Sequence, residues 1–128
     1  MINSTAFDYV NVLTKAADVS YQREAILANN ISNVDTPGYK RKDLNFEGVL
    51  SQELGRCKHQ SLDKKISELD ISKLTANVYT DHSNYSYRMD GNNVDIDTEN
   101  VELASEQIKY EALTSSISSQ FSRMKSVL

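Results

Sequence analysis

The side chains best suited to chemistry are few. There is one cysteine, Cys57, two histidines, His59 and His82, and a run of acids at Asp90, Asp95, Asp97 and Glu99. A single cysteine excludes an internal disulfide and a cysteine-based zinc site, and reads as a free thiol. The histidines fall outside any H-E-x-x-H or paired-ligand spacing, so no metal site is expected. The acidic run invites a calcium reading. Placing Gly91 at the glycine of an EF-hand loop, however, puts Ser86 and Arg88 at ligand positions, so a turn followed by a helix cap is the plainer reading. No serine sits in a G-x-S-x-G elbow, and the four glycines never cluster into a phosphate-cradling loop. Catalysis, a cofactor and a small-molecule substrate are therefore not expected.

The elements that would carry any other role follow from composition. The chain has 128 residues, of which 39% are apolar and 25% charged, with no tryptophan. Mean hydropathy is −0.52, and serine and asparagine fill 27 positions. That is enough chain for one domain but not for a large self-contained core, so burial completed against partners is the alternative. A net charge of −4 and a pI near 5.1 argue against nucleic acid and anionic membrane surfaces as partners. The longest uninterrupted apolar run is Ala25-Ile26-Leu27-Ala28, far short of the roughly 20 residues a membrane-spanning helix needs. The first residues show neither a basic n-region nor an apolar h-region, so a cleaved secretory signal is not expected.

The helix breakers are confined to the middle. Pro37, Gly38, Gly48, Gly55 and Gly91 are the only prolines and glycines, which leaves two breaker-free flanks, 1–36 and 92–128. In the first flank Phe7, Val10, Leu13, Ala17, Tyr21, Leu27, Ala28, Ile31 and Val34 recur mostly at three- and four-residue steps, opposite Asp8, Asn11, Lys15, Asp18, Gln22 and Asn29. This predicts an amphipathic helix capped by Ser4 or Thr5. It should stop before Thr36-Pro37-Gly38-Tyr39, where Pro37 and Gly38 suit the central positions of a type II turn with Gly38 at positive φ. The second flank carries two stripes. Leu103, Tyr110, Leu113, Ile117, Phe121, Met124 and Leu128 form one, and Val101, Ala104, Ile108 and Ala112 the other. Asp97 or Thr98 is the expected N-cap. A hairpin partner covers one stripe. The other needs the middle segment or another subunit.

The middle is irregular. Leu44, Phe46, Val49, Leu50 and Leu54 suggest a short helix interrupted by Gly48 and Gly55, and 56–73 a marginal helix or mobile stretch. Val78-Tyr79 and Tyr85-Ser86-Tyr87 favour strand but are too short to make a sheet alone. Lys40-Arg41-Lys42 reads as a solvated loop flank or a basic docking patch, and Asp90-Gly91-Asn92-Asn93 as a turn.

Two segments carry a family likeness. Leu27-Ala28-Asn29-Asn30-Ile31-Ser32-Asn33-Val34-Asp35-Thr36-Pro37-Gly38-Tyr39-Lys40 resembles the ANNIANxxTPGYK signature of bacterial flagellar axial proteins, which include rod and hook, with Ser32 where alanine is more usual. Asp90-Gly91-Asn92-Asn93-Val94-Asp95-Ile96-Asp97, continuing through Glu102-Leu103-Ala104 and Gln107 to Leu113, then Phe121 to Lys125, resembles the proximal-rod B type more than the C-type, distal-rod or hook versions. The resemblance implies both termini in a shared inner helical layer around a channel. It implies export unfolded through the flagellar type III apparatus without signal cleavage, and a place in the basal-body rod of the periplasmic space. Implied partners are other rod proteins, the ring and export-gate junction, and further copies of the chain. A cytoplasmic helical adaptor or export chaperone is the competing reading. The long breaker-free helix ending in Thr36-Pro37-Gly38-Tyr39 speaks against it.

The expected fold is mainly α, with long N- and C-terminal helices packing as a coiled-coil-like pair around an irregular middle of short helix and strand pieces. Residues 1–36 and 92–128 form the assembly domain and 37–91 the variable middle. The expected assembly interface comprises Phe7, Val10, Leu13, Ala17, Leu27, Asn29, Asn30, Ile31, Asn33 and Val34 on the first helix. On the second it comprises Leu103, Ile108, Tyr110, Leu113, Ile117, Phe121 and Met124. Thr36, Pro37, Gly38 and Tyr39 make the turn. Amides at Asn29, Asn30 and Asn33 can bond neighbouring chains or cap that turn.

Overall fold

The structure is a computed structural model that describes residues 5–56, 59–83 and 89–128. Helix α1 (Thr5–Ser32) and helix α4 (Ile96–Val127) run 28 and 32 residues, about 42 and 48 Å at the standard rise. They pack on each other. Ser20 meets Glu106 and Asn30 meets Glu99, so the pair is antiparallel. Between them lie strand β1 (Lys42–Leu44), helix α2 (Glu47–Gly55), helix α3 (Leu62–Ser67), a 3-10 turn at Ile71–Lys73 and strand β2 (Val78–Thr80). The expected architecture, two long terminal helices packed together and a broken middle, is what forms.

The middle is ordered by pairing the sequence does not advertise. β1 and β2 are antiparallel, with Lys42 opposite Thr80, Asp43 opposite Tyr79 and Leu44 opposite Val78. Three residues per strand cannot hold a sheet. This one is held because it lies on α1, where Val19 packs with Leu44, Phe46 and Leu74, flanked by Ala16, Ile26, Val49 and Leu50. Burying aromatic and branched side chains there supplies the driving force that the short elements lack. The stretch expected to be marginal or mobile contributes α3, with Ile66 buried, and is followed by the fully buried Leu74.

Several boundaries differ from expectation. α1 ends at Ser32, because the carbonyls that follow bond to residues outside the helix. Gly48 does not interrupt α2. Its N–H donates to the Asn45 side chain at 3.1 Å, and a Cβ there would stand 2.7 Å from that oxygen, so the glycine leaves room for the Asn45 side chain. α4 begins two to three residues earlier than expected. Asp95 is the N-cap, accepting from the Asp97 N–H at 3.1 Å and the Thr98 hydroxyl at 3.0 Å, so Asp97 and Thr98 lie inside the first turn. Thr5 opens α1, while Ser4, Cys57 and Tyr85-Ser86-Tyr87 lie outside the described residues.

Candidate functional site

The two family-like segments form one polar junction. Gly38 has φ +72°, and the Tyr39 N–H donates to the Thr36 carbonyl at 3.2 Å, closing the expected turn. Gly91, at φ +76°, abuts it, and a Cβ on Gly91 would meet the Gly38 Cα at 4.0 Å. The Gly38 N–H donates to the Asp90 carbonyl at 2.8 Å.

Three buried asparagines stitch the surroundings. The Asn92 amide donates to the carbonyls of Asn33, Val34 and Thr36 at 2.9, 3.0 and 2.9 Å, capping the end of α1 from the α4 side. Asn30 accepts from the Lys42 N–H and the Tyr39 hydroxyl, each at 3.0 Å, and donates to the Lys42 carbonyl at 2.8 Å and to Glu99 at 3.1 Å. Asn93 accepts from the Arg41 N–H at 2.7 Å and donates to the Asp81 carbonyl at 2.8 Å. An amide side chain that uses both donor and acceptor sites in this way loses nothing by burial.

Below the junction the contact between the long helices is charged. Arg23 reaches Asp43 at 2.8 Å, Glu106 at 2.7 Å and Glu102 at 2.9 Å. Arg41 pairs with Glu99, with Asp43 at 3.2 Å and with Asp81 at 3.4 Å. Ser20 donates to Glu106, and Lys109 pairs with Glu47. Glu99 and Glu106 are the buried residues of α4, 1% and 2% exposed.

The mutual fields are one-directional. The hydrogen bond to Asp43, ahead of opposing burial, leads in raising the Arg23 pKa above the ordinary arginine value. For Arg41, burial lowers the value but is outweighed by Glu99 and Asp43. Asp43 is pushed up by burial and pulled further down by Arg23 and the Leu44 N–H, ending below the ordinary carboxylate range. An open cleft of about 690 Å³ overlies these groups, lined also by Val34, Val94 and Ile96. Its charges are spent on one another. Among the described residues, no group of three or more His, Cys, Asp or Glu is placed to hold a metal ion.

The expected interface and turn residues fall into three classes. Val10, Ala17, Leu27 and Asn30 are buried inside the subunit. Leu13, Ile31, Asn33, Val34, Tyr39, Leu103, Tyr110, Leu113, Ile117 and Met124 are half-buried, with Tyr21 and Tyr110 in ring contact at 6.2 Å. Phe7, Asn29, Thr36, Pro37, Gly38, Ile108 and Phe121 are exposed. The second stripe of α4 is open, with Val101 68% and Ile108 69% exposed and Ala104 and Ala112 also on the surface. The described residues of the middle segment do not cover it. The amides of Asn29 and Asn33 act locally, Asn29 donating to Tyr39 at 3.1 Å and Asn33 to the Asn29 carbonyl at 2.8 Å.

Sequence reasoning missed the charged contact. Arg41 and Lys40 do not form a solvated flank, because Arg41 is drawn into the carboxylates and Lys40 donates to the Gly91 carbonyl at 2.6 Å, while Lys42 is exposed. A signal was present. Glu99 and Glu106 continue the Leu103–Tyr110–Leu113 face at three- and four-residue steps, so charge occupies positions where periodicity asks for an apolar side chain.

The sequence matches the family described as "Flagella basal body rod protein" over residues 20–40, the end of α1 and the turn. It is 36% identical over 129 residues to the flagellar basal body rod protein FlgB of Bacillus subtilis strain 168, covering 100% of this chain and 95% of the relative. It is 32% identical to the FlgB of Buchnera aphidicola, covering 92% of each. It is 30% identical to that of Escherichia coli K12, covering 89% of this chain and 88% of the relative.

Proposed function

This chain belongs to the FlgB family of flagellar basal body rod proteins, and we propose that it works in the rod as a self-assembling subunit, joined to its neighbours through the open faces of α1 and α4. The structural role in the rod and the basal-body location come with the family. The assembly surface is the reading added here. It consists of Val101, Ala104, Ile108 and Ala112 on α4, extended by Phe121, and of Phe7 and Asn29 on α1. The half-buried stripe residues Leu103, Tyr110, Leu113, Ile117 and Met124 form its margin. Residues 1–36 and 92–128 act as one assembly unit and 37–91 as the segment free to vary.

The observation that carries this is the exposure of Val101 and Ile108. An apolar stripe at helical spacing left open on a charged helix is costly to keep in water and is the pattern of a helix that packs against another subunit. The partners are other rod proteins and further copies of this chain, arranged around the axial channel. The chain reaches the periplasmic rod by the flagellar export route with no signal removed. Among the described residues no helix is long and apolar enough to cross a membrane, in keeping with docking beside a membrane ring rather than within the bilayer.

The test is a pair of variants, Val101→Asp and Ile108→Asp, in cells lacking the native copy. Each places an unpaired charge in the supposed interface, a loss of several kcal/mol on association. Both variants should fold as the native chain does and be absent from detergent-washed basal bodies. Normal amounts of both in purified basal bodies would rule out the α4 stripe as the assembly surface.

A further inference from the structure

We infer that the polar ladder between α1 and α4 selects the register in which the two helices meet, and that it does so in place of apolar interdigitation. The first observation is that α4 buries no apolar side chain among its 32 residues; its buried side chains are Glu99 and Glu106. The apolar cluster of Val19, Leu44, Phe46 and Leu74 lies on the other side, between α1 and the middle. What faces α1 from α4 at full burial is therefore charge.

The second observation is the degeneracy of the apolar stripe. Leu103, Tyr110, Ile117 and Met124 repeat every seven residues. A slip of one heptad carries each onto the next position, so apolar contact alone barely distinguishes the two alignments. The polar pairs do not repeat in this way. Ser20 and Arg23 meet Glu106, Arg23 meets Glu102, and Asn30 meets Glu99. After a heptad slip in one direction, Glu106 reaches Asn30 but Leu113 lies opposite Ser20 and Arg23, leaving a half-buried guanidinium without that carboxylate. In the other direction Glu99 replaces Glu106, and Asn30 keeps Lys42 and Tyr39 but loses the carboxylate of Glu99. Directional bonds with one matching alignment penalise every other alignment through unpaired buried groups. Setting register at the expense of raw stability is the best-attested use of buried polar groups between helices.

Glu99, Glu106, Ser20 and Arg23 are thus positioning residues. They act on the assembly surface by fixing which α4 residues stand beside which α1 residues. This rests on the assembly reading only for its consequence in the rod, since the register itself is a property of the single chain.

The test is a variant in which the ladder becomes apolar without stranding a charge, Ser20→Ala with Glu99→Met and Glu106→Met. Arg23 keeps Asp43 and Glu102, and Arg41 keeps Asp43 and Asp81. The variant should keep its helicity and a urea midpoint no lower than that of the native chain. Its α4 amides should split into two or more sets of resonances where the native chain gives one. A single set would overturn the inference, because the register would then be fixed elsewhere. Unfolding would also overturn it, because the ladder would be a source of stability and not of choice. The resonance count needs no rod, so its outcome is independent of whether Ile108 proves to be at an interface.

Discussion

On one strip of α1, Val19 packs with Leu44, Phe46 and Leu74, while on the adjoining strip Ser20 and Arg23 meet Glu106, Glu102 and Asp43. The same helix is thus held by apolar contact on one side and by charge on the other. The apolar side gains stability from every buried methylene and tolerates small shifts. The charged side gains little net energy after desolvation but fails sharply when one partner is removed. The difference teaches that the terminal helices of this chain are joined for alignment and that the middle segment provides the core.

Breaking the apolar side should have the largest effect. Phe46→Ala is expected to cost about 4 kcal/mol, read as a fall in the urea unfolding midpoint. On the charged side, Arg23→Ala leaves Asp43 with Arg41 as its one guanidinium and the buried Glu106 with the Ser20 hydroxyl and the more distant Lys109, and should cost about 3 kcal/mol. The contrast sharpens if the Arg23 loss is largely recovered when Glu106→Met is added, since an apolar pair is tolerated where a lone charge is not.

Acid should act on the charged side first. The folded-state pKa of Asp43 lies below its ordinary value of 3.8. Its contribution is therefore complete above that value and is lost as pH falls through it and down through the folded value. Asp43→Asn should cost about 2 kcal/mol at neutral pH and flatten the fall of the urea midpoint between about pH 5 and pH 2. An unchanged slope would mean that Asp43 is not the group responsible.

The smallest effect is expected at the turn. Gly38→Val forces a branched side chain to φ +72°, at about 1–2 kcal/mol. Gly55→Val, with open space around it and no such φ, should stay within about 0.5 kcal/mol. Equal midpoints for the two would show that the junction absorbs the strain.

The long helices could be read from the sequence because their signal is local. Glycine and proline are absent, and apolar residues recur at helical steps. The turns at Gly38 and Gly91 were legible for the same reason, since the residues that demand them sit in them. β1 was not, because Lys42-Asp43-Leu44 has no strand character until Val78-Tyr79-Thr80 arrives beside it. The charged contact was hidden more deeply. The periodicity places Glu99 and Glu106 on the apolar face of α4, but the residues that make their burial possible, Arg41 and Arg23, lie more than fifty positions earlier. Asn92 was read as a turn residue, and its role as the cap of α1 depends on carbonyls that lie more than fifty positions away. Burial of a charge or an amide is decided by its partner, and the partner is a fact of topology.

The bond from the Gly38 N–H to the Asp90 carbonyl has a consequence for how such chains diversify. It brings the two ends of the middle segment together, so everything between them is a loop whose stem is already clamped by the asparagines around it. The entropy of closing a loop grows only with the logarithm of its length, so doubling the segment adds only about 0.6 kcal/mol. Evolution can lengthen, shorten or replace what lies between the two glycine turns with almost no penalty to the pair of helices beneath, provided the new insert still offers a face to Val19. The junction is in this sense a socket, and the same helical base can carry inserts of very different size.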